Sequence, residues 1–444
     1  MMTTYLDVEG RALSPMEQTF CIADEICSFN FTMHCELSGE LAEEGLRMAL
    51  DKVQARHPLL RMHLDGEVGE VRFLPGTGPI PLRIAERPVS ALVAECEHEL
   101  HTRFDGRQGP MVRCVLMRHG PAHATLLVTF HHLIGDGISG SLLLRDLFRA
   151  WRGEDLVILP LAESADRHLP ATARGFQGFT RLVSLLGQRL GRTLSHGGIR
   201  YLPVERPASY GERQAAVRML RFEPKLVSVL ADRARREHTT VHGALSAAIL
   251  MASRPELGPL PAHVAFSSAL NMRDRFSPAI GDDLGLFATL VYSANLVDDK
   301  TGFWPLAREL KAGLNEAVDS GQPFLGITAL PRWIMYRFRK AGRGEPGKQA
   351  VTTAFHRGMV KAFALTNIGK VNIVAENGPI RISALGFVAS PSVLAASAFT
   401  AATIGGTLCL NSIVMEPVVS RGTQDRILER VQSLIRSAID WRSE

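Results

Sequence analysis

Apolar residues recur along this chain with two different periods, and the places where the period changes mark its elements. Ser14-Pro15-Met16-Glu17 puts a capping hydroxyl, a proline at the first helical position and a glutamate at the third, which predicts a helix starting there. FNFTMHCELSG, ending at Gly39, alternates as a strand does. LAEEGLRMALDKVQARH carries Leu41, Leu46, Ala49, Leu50 and Val53 at helical spacing until Pro58 stops it. VRFLPG and MVRCVLMRHG read as further strands, and Ala124 to Phe130 is a continuous apolar run of the kind used by a sheet covered on both faces. After HHLIGDG, the stripe Leu142, Leu143, Leu147, Phe148 and Trp151 predicts a helix, so the chain up to Trp151 reads as one α/β lobe.

From Arg152 to about Arg206 the alternation fades. Pro160, Pro170 and Pro203 appear together with a basic amphipathic stretch, GFTRLVSLLGQRLGR, which reads as a crossover carrying one helix packed on the lobes. A second lobe then repeats the same grammar: strand VRMLRFEP, helices KLVSVLADRARRE and VHGALSAAILMAS, strands HVAFSSALN and LFATLVYSANLV, and helix PLARELKAGLNEAVDS. Strands around ALTNIGKVNIV and a last helix, TQDRILERVQSLIRSAIDW, complete it. Between Ile382 and Met415 no residue is charged, but Pro391, Gly405-Gly406 and repeated Ser and Thr interrupt the run. That pattern predicts buried strands and a hairpin around the Gly-Gly pair, not a membrane span. A chain of 444 residues exceeds one compact core, and the expected division is 1–205 and 206–444, two lobes of similar order that suggest a pseudo-dimer.

Charge and cysteines narrow the function class. Fifty Lys plus Arg against 45 Asp plus Glu leave only +5, with no polybasic tract, which argues against nucleic acid as the main partner. MMTTYLDVEG has two acids and no basic segment before an apolar run, so it does not read as a secretory signal and a cytoplasmic location is expected. Six cysteines without a C-x-x-C pair predict free buried thiols.

The sharpest chemical signal is HHLIGDG, with His131, His132, Asp136 and Gly137 between a buried strand and a helix. Neighbouring side chains on extended backbone point to opposite faces, so one imidazole can serve a cavity while the other supports it. A neutral imidazole takes and returns a proton near pH 7, which suits a general base acting on a hydroxyl or amine. Asp136 is placed to cap the following helix, and Gly137 to permit tight backbone. No third ligand of recognisable spacing accompanies His132 and Asp136, so no metal is expected. RWIMYRFRKAGRGEPGK, from Arg332 to Lys348, holds six basic residues and three aromatics. It reads as an exposed, mobile loop, or as a site for a phosphate group or an acidic protein.

HHLIGDG resembles the HHxxxDG motif of the condensation-domain and CoA-dependent acyltransferase superfamily, and the likeness extends along the chain. LSPMEQTF, His57-Pro58-Leu59-Leu60-Arg61, Phe104-Asp105 with Gly109-Pro110 and Arg113, LNMRDRFSP, GDDLGLFATLV and TNIGKV follow that superfamily's order. Within it the chain looks like the stand-alone polyketide-associated acyltransferases of the phthiocerol dimycocerosyl transferase type, and it lacks the DFGWG motif of the plant BAHD branch. The resemblance implies an α/β fold of two chloramphenicol-acetyltransferase-like lobes in a V-shaped pseudo-dimer, with a central tunnel meeting at His132. The implied reaction is acyl transfer from a CoA or carrier-protein thioester to a hydroxyl, His132 deprotonating the acceptor for direct attack. The thioester is a co-substrate, with no cofactor tightly bound. Stand-alone amide-forming condensation and a non-catalytic module recruiting carrier proteins are the alternatives.

By the same resemblance His131 packs under His132, and Asp136 is mainly structural, pairing with Arg273, or with Arg275 as competitor. His57 is structural at a helix end. Asn367 lines the tunnel, holds the Gly369 turn and is a candidate oxyanion donor. No carrier, adenylation or dehydrogenase segment accompanies the 444 residues, so a condensation role implies carriers supplied in trans. The small-molecule acceptor is an alcohol or an amine, and the two-lobe layout makes a monomer sufficient.

Overall fold

In the computed structural model the described residues are 9–173, 199–298, 300–342, 344–358, 363–374, 380–391 and 393–440, and the crossover stretch GFTRLVSLLGQRLGR lies outside them. The first sheet has five strands in the order β13 (Ile380–Ala389), β2 (Asn30–Gly39), β7 (His123–His131), β6 (Val112–Gly120) and β5 (Leu82–Glu86). The continuous apolar run in β7 is explained by two cores. Leu126, Val128 and Phe130 face one that contains Leu50 of α2 (Glu43–Arg56) and Leu143 and Leu147 of α4 (Gly137–Trp151). Leu127 faces the other, with Ile22 of α1 (Pro15–Ile26) and Cys96 and Leu100 of α3 (Leu92–His101).

The second sheet runs β11 (Ala288–Val297), β10 (Ala262–Asn271), β12 (Phe363–Lys370), β14 (Ser397–Ile404), β15 (Thr407–Glu416) and β9 (Gln214–Phe222), with the short β8 (Ile199–Arg200) beside β10. Its own core is closed by the helices Pro224–Arg236, Val241–Ser253, Phe303–Asp319 and Arg421–Ala438. A third, small sheet joins β1 (Arg11–Ala12), β4 (Arg72–Pro75) and β3 (Met62–Asp65). The two large sheets with their helices are the two lobes anticipated above.

Several local expectations hold. Ser14 and Glu17 form the capping box of α1 in both directions. β14 and β15 are a hairpin whose turn places Gly405 and Gly406 at φ +54° and +83°, the left-handed pair a two-residue hairpin turn requires. The six cysteines are free, and all but the half-buried Cys21 are buried. Among the described residues no helix is long and apolar enough to cross a membrane.

Two features differ from the linear reading. The strand β13, although it follows residue 206, pairs antiparallel with β2 and forms the outer edge of the first sheet, so the second half of the chain crosses back over the 205/206 division. Arg332–Lys348 is not a loop. Residues Ala329–Ala341 and Glu345–Gly358 are helices, because Pro331, Ile334, Met335 and Phe338 recur at helical spacing and are buried against the rest of the protein.

Candidate active site

The end of β7 sets the site. Backbone pairing carries the first sheet up to His131, opposite Asn30, and the His132 N–H then donates to the Phe29 carbonyl at 2.9 Å. The two imidazoles part company there, as the alternation of side chains demands. His131 is 4% exposed, and its Nδ1 accepts the Leu133 N–H at 3.0 Å, which leaves the proton on Nε2, 3.5 Å from the Asp24 carboxylate. Burial pushes the Asp24 carboxyl up, but the hydrogen bond from His131 and the Phe29 N–H at 2.8 Å outweigh it and hold its pKa below the usual carboxylate value.

His132 stands among three phenylalanines. Its ring stacks on Phe29 at 5.2 Å between centroids and meets Phe31 at 5.2 Å and Phe20 edge-on at 5.6 Å. This apolar surround removes water from the charged form. Burial therefore holds the imidazole pKa below its ordinary value, and the upward pull of the His132 and Gly135 backbone and of the Asp136 charge does not reverse it. At neutral pH the imidazole is therefore uncharged. Nδ1 is buried and, among the described residues, has no hydrogen-bond partner.

Asp136, 2% exposed, is the N-cap of α4. One carboxylate oxygen accepts the Ser139 N–H at 2.8 Å and the Ser139 hydroxyl at 3.0 Å, and the other accepts the Phe287 N–H from the second lobe at 3.0 Å. Arg273, 4% exposed, comes within 3.9 Å of Asp136, with the Ser139 hydroxyl between them at 3.0 Å from the guanidinium. Its other amino group donates to the Gly281 and Asp283 carbonyls at 2.9 Å, and the guanidinium lies 4.8 Å from the centroid of Phe287. Arg275 is exposed and donates to the Asn271 carbonyl, away from this cluster.

Gly137 has an ordinary backbone, so the tight turn is not its reason. A Cβ there would lie 2.8 Å from Ile368 Cγ2 and 3.8 Å from the Phe387 ring. The glycine lets the end of β12 close on the start of α4, and the next residue back in β12 is Asn367. Its side-chain oxygen accepts the Gly369 N–H at 2.8 Å, fixing Gly369 at φ +72°, and among the described residues its amide nitrogen makes no hydrogen bond. His57 caps the C-terminus of α2 and lies 3.0 Å from Asp146 of α4. Arg56 and Arg145 pair with both Asp146 and Asp282, which ties α4 to the loop that holds Arg273.

Comparison with known proteins follows the same division of the chain. A condensation-domain model matches residues 22–165, and a model described as the phthiocerol/phthiodiolone dimycocerosyl transferase C-terminus matches residues 211–402. Both halves of the chain are thus similar to members of the condensation-domain and acyltransferase superfamily. Superfamily members of known structure share its fold over nearly their whole length. Polyketide synthase associated protein 5 from Mycobacterium tuberculosis matches with TM-score 0.64 at 18% identity over 96% of this chain and 97% of that one. Trichothecene 15-O-acetyltransferase from Fusarium sporotrichioides matches with TM-score 0.74 at 12% identity over 98% and 95%. In sequence, phosphinothricin tripeptide synthetase from Streptomyces viridochromogenes is 29% identical over 229 residues, 48% of this chain. The chain spans only 21% of that synthetase's length, and 6% of vanchrobactin synthetase from Vibrio anguillarum.

Sequence reasoning named His131, His132, Asp136, Gly137, Arg273 and Asn367, and the structure gathers all six around the start of α4 and the end of β12. It missed Asp24, Phe29, Phe31, Ser139 and Phe287. Ser139 could have been found from its place at the third helical position after a capping Asp. Asp24 lies 107 positions before His131 and carries no signal of its own.

Proposed function

We propose that the chain transfers an acyl group from a CoA or carrier-protein thioester to a hydroxyl acceptor, forming an ester in secondary-metabolite or lipid biosynthesis, with His132 as general base. The observation that carries this reading is the state of His132: an uncharged imidazole in an aromatic surround, at the place where β12 of the second lobe closes on α4 of the first. Nε2 takes the hydroxyl proton as the acceptor oxygen attacks the thioester carbonyl. The new C–O bond forms, the C–S bond breaks, and the proton passes to the departing thiolate. No acyl-enzyme is needed, because the base activates the acceptor itself.

Asp136, Ser139 and Arg273 touch one another and the backbone of both lobes, and their role is to hold α4, hence His132, in register with β12. Asn367 stands beside this junction with an amide N–H₂ that makes no hydrogen bond among the described residues, which suits it to donate toward the developing oxyanion. The likeness to tripeptide synthetase segments supports an amine acceptor as the second reading, since the same base serves either nucleophile.

Product analysis separates the two. Purified protein is given acyl-CoA and acyl-carrier donors with paired alcohol and amine acceptors of matched carbon skeleton, and products are identified by mass. Ester as the main product supports the first reading, amide the second. Intact-protein mass spectra with donor alone should show no added acyl group, and a stoichiometric acyl adduct would contradict direct attack.

A further inference from the structure

The helix Ala329–Ala341 has one face committed to the core and another that is exposed among the described residues. Ile334, Met335 and Phe338 are 3% exposed or less, packed with Ile22 of α1 and Met415 of β15. On the opposite side Arg332, Trp333, Tyr336, Arg337, Arg339 and Lys340 are all exposed, and at 100° per residue they fall within an arc of about 160°. No acidic residue interrupts them. Trp333 is 46% and Tyr336 58% exposed, high for such large rings. Each has a cation beside it: Arg337 lies 5.9 Å from the Trp333 centroid and Lys340 5.9 Å from that of Tyr336.

We infer that this face is a docking surface for an acidic folded protein and, resting on the acyl-transfer reading, that the partner is the thioester-bearing carrier protein. Three properties select that occupant. The surface is a convex helix about 20 Å long on which only Arg332 reaches a concavity, whereas a small anion such as free CoA needs one to be enclosed. The side of the helix that could enter a bilayer is already buried in the protein, so insertion as an amphipathic helix is not open to it. The exposed residues are Trp, Tyr and Arg, the types that dominate protein interface energetics, and the unbroken positive charge asks for a negative partner.

Its position suits delivery. The helix packs on α1, the Lys348 ammonium that follows it is 2.7 Å from Glu25 of α1, and α1 carries Phe20, which meets the His132 ring. At its near end Arg332 also lines an open cleft of about 930 Å³ beside the first turn of α1, together with Arg72.

The test uses the full chain, a triple variant Trp333→Ala, Arg337→Glu, Lys340→Glu, and a panel of phosphopantetheinylated acyl and peptidyl carrier proteins. Binding is measured by calorimetry at two ionic strengths, and turnover is measured separately with carrier-bound and CoA-bound donors. The variant, whose melting should match wild type because all three residues are exposed, is expected to bind carrier at least tenfold more weakly. It should lose carrier-dependent kcat/KM by the same factor and keep CoA-dependent turnover. Wild-type binding should weaken as salt rises. Equal carrier binding by variant and wild type, binding of wild type to vesicles of anionic phospholipid but to no carrier, or binding to neither would each overturn the inference. Carrier binding lost in the variant while no donor supports acyl transfer would leave the docking surface standing and refute the catalytic reading.

Discussion

Replacing Asp136 with alanine removes three hydrogen bonds at once, and their energies can be placed one by one. The first is the N-cap bond to the Ser139 N–H at 2.8 Å, whose loss costs about 1 kcal/mol. The second is the bond from the Phe287 N–H at 3.0 Å, and with Asp136 2% exposed no water replaces it, so an orphaned buried donor adds roughly 1–3 kcal/mol. The third, from the Ser139 hydroxyl, is partly recoverable because that hydroxyl also reaches the Gly285 carbonyl at 2.8 Å. Arg273 loses a carboxylate at 3.9 Å but keeps two carbonyls and Ser139, so its charge is not abandoned. The sum is about 3 kcal/mol, which in a lobe of this size lowers the melting midpoint by roughly 6–12 °C. Asp136→Asn retains one acceptor oxygen and should recover about 1 kcal/mol of it. Calorimetric melting of the three proteins, with activity assayed well below each midpoint, checks the ordering. If Asp136→Ala melts with wild type, the carboxylate does not hold α4 to the second lobe and the reasoning fails.

Two further substitutions test separate parts of the site, and a titration tests the buried ionisable groups of the first lobe. Gly137→Ala sets a Cβ 2.8 Å from Ile368 Cγ2 and should cost about 1–3 kcal/mol, with Ile368→Ala in the same chain recovering most of it; additive effects in the double-mutant cycle would contradict the close approach. Asp24→Ala frees both His131 and the Phe29 backbone and should lower kcat by roughly tenfold to a hundredfold, while Asp24→Asn, which still accepts the Phe29 N–H, should restore most of the rate; an alanine variant with wild-type kcat would remove Asp24 from the account. His34 is fully buried and its pKa is lowered by burial from 6.5 to about 4, so the unfolded chain binds the extra proton first. Its contribution is complete above pH 6.5 and is lost as pH falls toward 4, about 3 kcal/mol in all, whereas Asp146, held down to about 2 by His57, Arg145 and Arg56 against its burial, keeps its contribution above its ordinary 3.8 and loses it only toward pH 2. Urea midpoints that do not move between pH 7 and 4.5 would contradict the first of these.

What could be read from the sequence was whatever depends on neighbours within a turn or two. The capping box at Ser14, the glycine pair at 405–406 and the cap at Asp136 are local chemistry, and each appears where the pattern puts it. The HHxxxDG run was legible for the same reason, since strand end, turn and helix start lie within seven residues. What escaped depends on pairing at a distance. β13 joins the first sheet because its apolar alternation meets the open edge of β2, and nothing in its own residues says which of two sheets will take it. Gly137 looked like a turn residue because the partner that forbids a side chain there, Ile368, is 231 positions away. The helix Ala329–Ala341 was hidden by its basic outer face, which reads as solvent-facing loop until the buried stripe beneath it is counted.

Acceptor-dependent thiol release measures directly whether His132 is the base of an acyl transfer. Purified wild type and His132→Ala are each given acyl-CoA and acyl-carrier thioesters with and without an alcohol or amine acceptor, after their melting curves have been matched. Release should require the acceptor in wild type and fall by roughly 10²- to 10⁴-fold in the variant while donor binding persists. Release at the wild-type rate from the alanine variant would contradict that role.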